Sequence, residues 1–224
     1  MSSVDIQVFH DFACPWSRIA EANLRTALVS LGFDSSAVVT YHPFELNPGL
    51  PRTGVNRAAY LAREHGSAMH AQRRDADAER AGRRIGLAFD FDRLTVLPAT
   101  LPAHRLMDFA VADGPTELAM ALATSIHDAY FVHALDISDH DVLVEIGARH
   151  GLAPHTTAKF LASGAGVDAV RTARGRARED GIKVVPTVLV GSTHIPGAQP
   201  PGIFARALRG AALTAPQSQL PERV

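Results

Sequence analysis

The sequence predicts an α/β fold: a small sheet with helices on both faces, interrupted by a large all-helical insertion. Three observations predict it. The chain opens as strand, helix, strand, and it closes as a strand hairpin followed by a helix. Between these ends, one helical period follows another without the alternation a strand would show.

Residues 4–10 read as a short apolar strand, with Val4, Ile6 and Val8 on one face. Asp11-Phe12-Ala13 makes a turn, and Pro15 stands where a helix best tolerates proline, in its first turn. Ile19, Ala20, Asn23, Leu24, Ala27, Leu28 and Leu31 then form one helical stripe, which Gly32 ends. Residues 37–41 form the second strand, closed by His42-Pro43, completing a βαβ unit. Helical patterns at 56–66 and 71–86 are rich in Ala, Arg and Glu. After a loop at Phe89-Asp90-Phe91-Asp92, further helices are predicted at 102–112, 115–133, 138–150, 154–161 and 166–180. Phe89 and Phe91 are expected to plug the core under the insertion. Residues 184–190 are apolar and β-branched, Gly191-Ser192 is a two-residue turn, and Thr193-His194-Ile195 answers as the partner strand. Pro200-Pro201 opens a closing helix at 202–209, and the tail 214–224 is expected to fray. The implied division is one discontinuous domain, 1–47 with 165–224, and an inserted helical subdomain at 48–164. That plan is a thioredoxin-like fold with a large all-helical insertion.

The 224 residues suffice for one large domain carrying such an insertion. Hydrophobic residues at 46% and charged residues at 20% allow a full core, and 6% aromatics leave it mainly to Ala, Val, Leu and Ile. A net charge of −1 gives no electrostatic reason to expect nucleic acid or an anionic membrane as partner. No secretory signal pattern opens the chain, and no apolar run approaches the roughly 18 residues of a membrane span. A single cysteine cannot form an internal disulfide, so a cytoplasmic location is expected.

Cys14-Pro15-Trp16-Ser17 is the sharpest local signal. A thiol at a helix start meets unpaired N–H groups and the positive end of the helix dipole. Both favour thiolate, so the sequence predicts a pKa below the ordinary value of about 8.5. Trp16 is placed to shield or orient an incoming disulfide, and Ser17, one turn on, to donate a hydrogen bond to the sulfur. A lone cysteine is more often a small buried hydrophobe, but the position between an apolar strand and a proline-started helix favours the reactive reading. Val185-Pro186-Thr187 is the second signal. Proline in an apolar strand marks either an edge strand with a trans bond or a cis peptide before Pro186, and the cis form leaves the Val185 backbone to pair with an extended substrate.

Eight segments then extend the pattern along the chain. The first three are Asp11-Phe12-Ala13-Cys14-Pro15-Trp16, His42-Pro43-Phe44-Glu45-Leu46-Asn47-Pro48 and Phe89-Asp90-Phe91-Asp92. Ala103-His104-Arg105-Leu106, Ala129-Tyr130-Phe131 and Asp136-Ile137-Ser138-Asp139 follow. Gly181-Ile182-Lys183-Val184-Val185-Pro186 and Ile195-Pro196-Gly197-Ala198-Gln199-Pro200 complete the series. In this order they resemble the DsbA family of thioredoxin-fold oxidoreductases, in its cytoplasmic FrnE-like branch. The resemblance implies a cis Pro186 and thiol–disulfide chemistry at Cys14. It departs at Ser17, where the family usually carries a second cysteine. Cys14 then attacks a disulfide as a single nucleophile, and an external thiol, such as glutathione or another low-molecular-weight thiol, must resolve the mixed disulfide.

Two other readings follow from that departure. The kappa-class glutathione transferases and 2-hydroxychromene-2-carboxylate isomerases share this plan with a serine at the helix start, which suggests a thiol-dependent transferase or isomerase. A redox-inactive binding protein or holdase is the third. Gly197, Ala198 and Gln199, before the last helix, are candidates to bind a carboxylate of a thiol cofactor. His10 and Glu45 are candidate proton carriers. Eleven histidines form no His-Glu-x-x-His motif, so no metal site and no tightly bound cofactor are expected. The expected partner is a disulfide-bearing protein or small molecule, and a homodimer is compatible with the sequence.

Overall fold

A computed structural model describes residues 4–33, 37–111 and 116–214. The chain start 1–3, the predicted helix ends at 112 and 115, and the tail 215–224 lie outside the described residues.

Strand β1 (Val4–His10) is the spine of a four-stranded sheet of order β2-β1-β5-β6. It pairs in parallel with β2 (Ala37–Pro43), from Val4 opposite Ala37 to His10 opposite Pro43. Parallel neighbours require a crossover, and α1 (Pro15–Leu31) supplies it. On its other side β1 runs antiparallel to β5 (Thr187–Val190), which turns at Gly191 (φ 55°) into β6 (Thr193–Pro196). The ladder begins at Thr187 rather than at 184 because Pro186 has no N–H to contribute.

The pleat sends β1 side chains alternately to two cores. Ile6 and Val8 join Leu24 and Leu28 of α1 and Phe204 and Leu208 of α9 (Pro201–Thr214). Phe9 faces the other way and packs with Phe44, Ala177 and Ile182. Asn23, the polar member of the α1 stripe, donates its Nδ2–H to the Gln199 carbonyl at 2.9 Å and so ties α1 to the loop entering α9.

The inserted helices are α2 (Arg57–Glu64), α3 (Ala68–Arg83), α4 (Leu101–Val111), α5 (Thr116–Phe131), α6 (His140–Arg149) and α7 (Pro154–Ala162). Helix α8 (Val167–Glu179) returns the chain to the sheet. A two-residue ladder, β3 (Val55–Asn56) with β4 (Val96–Leu97), closes the long loop between α3 and α4 onto the start of α2. Two residues are too few to show alternation, so sequence reading misses it. Leu106, Leu122, Ile126 and Phe131 belong to the same buried cluster as Ile6 and Val8, so one apolar core runs through sheet and insertion. Phe89 lies against Phe91 and Phe131, both at 5.2 Å between ring centroids, as the expected core plug. Arg18 of α1 reaches across to the insertion, donating to Asp128 at 2.7 Å and to the Ala88 carbonyl.

Arg105 of α4 is the strongest polar tie within the insertion. Its buried guanidinium donates to the carbonyls of Phe160 (2.8 Å), Leu161 (3.1 Å), Ser163 (2.9 Å) and Ala165 (2.7 Å). These include carbonyls at the end of α7, where a cation is favoured by the helix dipole. Arg105→Ala is expected to cost roughly 2–4 kcal/mol, because it removes four charge-assisted bonds and strands the buried Leu161 carbonyl. Chemical denaturation should show that loss, with Arg105→Lys recovering only part of it; an unchanged midpoint would contradict the assignment.

Candidate functional site

The site starts where β1 ends. Asp11-Phe12-Ala13 turns the chain, with the Cys14 N–H donating to the Asp11 carbonyl at 3.0 Å. Cys14 is the extended N-cap residue of α1 (φ −94°, ψ 112°) and Pro15 follows at the first helical position. The Ser17 N–H donates to the Cys14 carbonyl at 3.1 Å. The sulfur faces the Val185 carbonyl at 3.8 Å, and the peptide between Val185 and Pro186 is cis. Residues 171 positions apart thus meet at one atom, as the two sequence signals require.

The acidity of this thiol differs from the sequence expectation. Burial pushes Cys14 up, above the ordinary cysteine range. The Ser17 hydroxyl and the N–H groups of Ser17 and Trp16 pull it down, as a helix start should, while Asp11 pushes it up again. Cys14 is 5% exposed, so a thiolate there loses most of its hydration, and that loss exceeds what the helix start returns. The S–H donation to Val185 acts in the same direction, because it stabilises the neutral form.

Asp11, which the sequence marks as a turn residue and not as a site residue, organises the loop. One carboxylate oxygen accepts from the Ala13 N–H at 3.1 Å and the other from the Leu46 N–H at 2.6 Å. The Thr100 hydroxyl adds a further bond, and the Asp11 N–H donates to Ser17 Oγ at 3.4 Å. Burial raises its pKa against the pull of those donors. The signal was an acidic residue between an apolar strand and Phe12, a place where a carboxylate is retained only with partners.

Ser17 is fully buried beneath the sulfur. Trp16 lines one wall of a cavity of about 290 Å³ that opens beside Cys14. Its other walls include Leu46 and Asn47 and, from the insertion, Arg57, Tyr60, Glu64, His65, Arg74 and Asp75. Arg57 is held by a two-pronged ion pair with Asp75 at 2.6 and 2.8 Å, whereas Arg74 is exposed at the mouth. A larger cavity of about 580 Å³ lies between α2 and α3 and shares Arg57 and Asp75 with the first, but Cys14 is not among its walls.

The remaining candidates are less tightly gathered. Glu45 is buried, its pKa raised by burial and then by Asp11, and its own carbonyl accepts from Arg174 Nε at 3.1 Å. The Gly197 N–H is engaged by the Pro186 carbonyl at 2.7 Å, and the Gln199 N–H by the Gly197 carbonyl at 3.0 Å. The Gln199 side chain donates to the Pro196 carbonyl at 2.9 Å, so hydrogen bonds within this loop help buttress Pro186. His10 makes its contacts away from the sulfur, with Glu21, Tyr41, Phe12, His104 and His127.

The fold has counterparts among solved structures. A probable DsbA oxidoreductase from Streptomyces coelicolor is 26% identical and superposes with a TM-score of 0.82, the match covering 97% of this chain and 93% of that one. The cytosolic disulfide reductase DsbM from Pseudomonas aeruginosa shares the fold at 19% identity and a TM-score of 0.63, covering 93% and 96% of the two chains. So does a 2-hydroxychromene-2-carboxylate isomerase, at 16% identity and 0.65, covering 94% and 99%. The sequence pattern of the DSBA-like thioredoxin domain matches residues 5–209, nearly the whole chain, and the protein belongs to that family.

Proposed function

We propose that the protein is a monothiol thiol–disulfide oxidoreductase of the FrnE-like branch, working in the reducing cytoplasm with Cys14 as nucleophile and a low-molecular-weight thiol as the resolving partner. The observation that carries this reading is the meeting of the sole cysteine, at the start of α1, with the Val185 carbonyl and an open cavity. In the first step the Cys14 thiolate attacks one sulfur of a substrate disulfide. A Cys14–substrate disulfide forms, and the other half leaves as a thiolate. The external thiolate then attacks the mixed disulfide and returns Cys14 to thiolate, and a second external thiol completes reduction of the substrate. The sum is one disulfide reduced and one disulfide of the small thiol formed.

The environment of Cys14 supports the reductive direction. A strong oxidant of this chemistry is one whose reduced form is stabilised. Burial and Asp11 instead disfavour the Cys14 thiolate, so its mixed disulfide is the better-held state. Exposed Arg74 in the cavity wall, beside Glu64 and the Arg57–Asp75 pair, is the cation assigned to a carboxylate of the small thiol. The Ser17 hydroxyl is hydrogen-bonded to the Cys14 sulfur, which favours Cys14 rather than a bound thiol as the nucleophile over the transferase reading.

Incubation with glutathione disulfide should give a single mixed-disulfide adduct by intact-mass spectrometry, absent in Cys14→Ala and released by reduced glutathione. No adduct at alkaline pH would refute the monothiol mechanism. Arg74→Ala should raise KM for glutathione about two- to fivefold, the range of an exposed charge pair, and leave turnover with neutral 2-mercaptoethanol unchanged. Equal effects on both thiols would remove Arg74 from the recognition of carboxylates.

A further inference from the structure

His10, next to Asp11 in the chain, turns into a buried polar chamber between β1, α1 and α5. His10, Glu21 and His127 are 1%, 6% and 0% exposed and come from these three elements. His10 Nδ1 lies 3.5 Å from Glu21 Oε1, and His127 Nε2 lies 3.6 Å from the same oxygen. One donor atom from each of the three residues falls within 4.8 Å of the other two. Around them stand aromatic rings: Phe12 and Tyr41 edge-on to His10, and Phe131 stacked on His127 at 6.0 Å between centroids.

Hydrogen bonding does not account for this group. Among the described residues, His10 Nδ1, Glu21 Oε1 and both ring nitrogens of His127 have no hydrogen-bond partner. Native interiors rarely leave such atoms unpaired, and each one costs about 1–3 kcal/mol. The two spacings also exceed the roughly 2.7–3.2 Å of an N–H···O bond. They come close to another distance. Two ligands each about 2.0–2.1 Å from a tetrahedral Zn²⁺ lie about 3.3 Å apart.

We propose that His10, Glu21 and His127 bind one first-row divalent cation, for which Zn²⁺ is the best-matched probe. Two imidazoles and a carboxylate are a donor set that borderline divalent ions accept. The cation gives the three orphaned ligand atoms a common partner and balances the carboxylate inside an apolar wall. It pins the end of β1 and the second turn of α1 to the insertion, just under the loop that carries Cys14. Because the site is buried, the ion enters as the chain folds. Positions 10, 21 and 127 form no spacing motif, which is why the sequence predicts no metal.

The test uses the tag-free full chain as Cys14→Ser, so that no thiol competes for the ion. It is purified from zinc-supplemented medium and also refolded with Zn²⁺. Elemental analysis should find about one equivalent per chain, with a Tm above that of protein refolded in chelator. Glu21→Gln and His127→Gln, checked for native circular dichroism, should hold less than about one tenth of an equivalent. Co²⁺ refolding should give visible d–d bands in Cys14→Ser that Glu21→Gln, in the same background, lacks. Absence of metal and of any Tm difference would overturn the proposal, as would one equivalent retained in both variants. Since the chain tested lacks the thiol, either result is independent of the exchange chemistry proposed for Cys14.

Discussion

A buried carboxylate, Asp11, is the constraint on which the thiol depends. Its oxygens accept N–H groups from its own loop and from the loop after β2, and the Thr100 hydroxyl brings in the approach to α4. Three segments distant in sequence are thereby fixed around one turn. The same carboxyl group sits close enough to Cys14 to oppose its ionisation. Position and acidity are thus set together: the loop that aims the sulfur at Val185 also makes its thiolate harder to form.

The sheet and the insertion divide the remaining work. Strand β1 and the turn before β5 supply the sulfur and the facing carbonyl. Helices α2 and α3 supply the outer wall of the cavity, held by the ion pair of Arg57 with Asp75. Arg18, bonded to Asp128, and the shared apolar core keep the two halves in register. A thioredoxin-like core alone would leave Cys14 beside open solvent. The insertion gives it a lined approach and contributes to the burial that raises its pKa.

Much of this was legible in the sequence, and the reasons are local. A strand, a proline at a helix start and an apolar stripe through Leu24 and Leu28 each declare themselves over a few residues. Pro186 within an apolar run likewise marked the turn that faces Cys14. What was not legible depends on packing. The helix start at Cys14 suggested a low pKa because dipole and N–H groups are visible in one dimension and desolvation is not. Asp11 read as a turn residue, since its partners Leu46 and Thr100 are remote in sequence. Glu21 and His127 carry no local signal in the sequence, and only the fold brings them to His10.

The central claim is that burial, not the helix start, sets the reactivity of Cys14. A titration of its thiolate ultraviolet absorbance against pH, with Cys14→Ala as the blank, tests it most directly. The account predicts a pKa above the ordinary value of about 8.5, with alkylation slow at neutral pH and rising about tenfold per pH unit below the midpoint. A midpoint below about 7 would contradict it and show that the helix N-terminus outweighs desolvation at this sulfur.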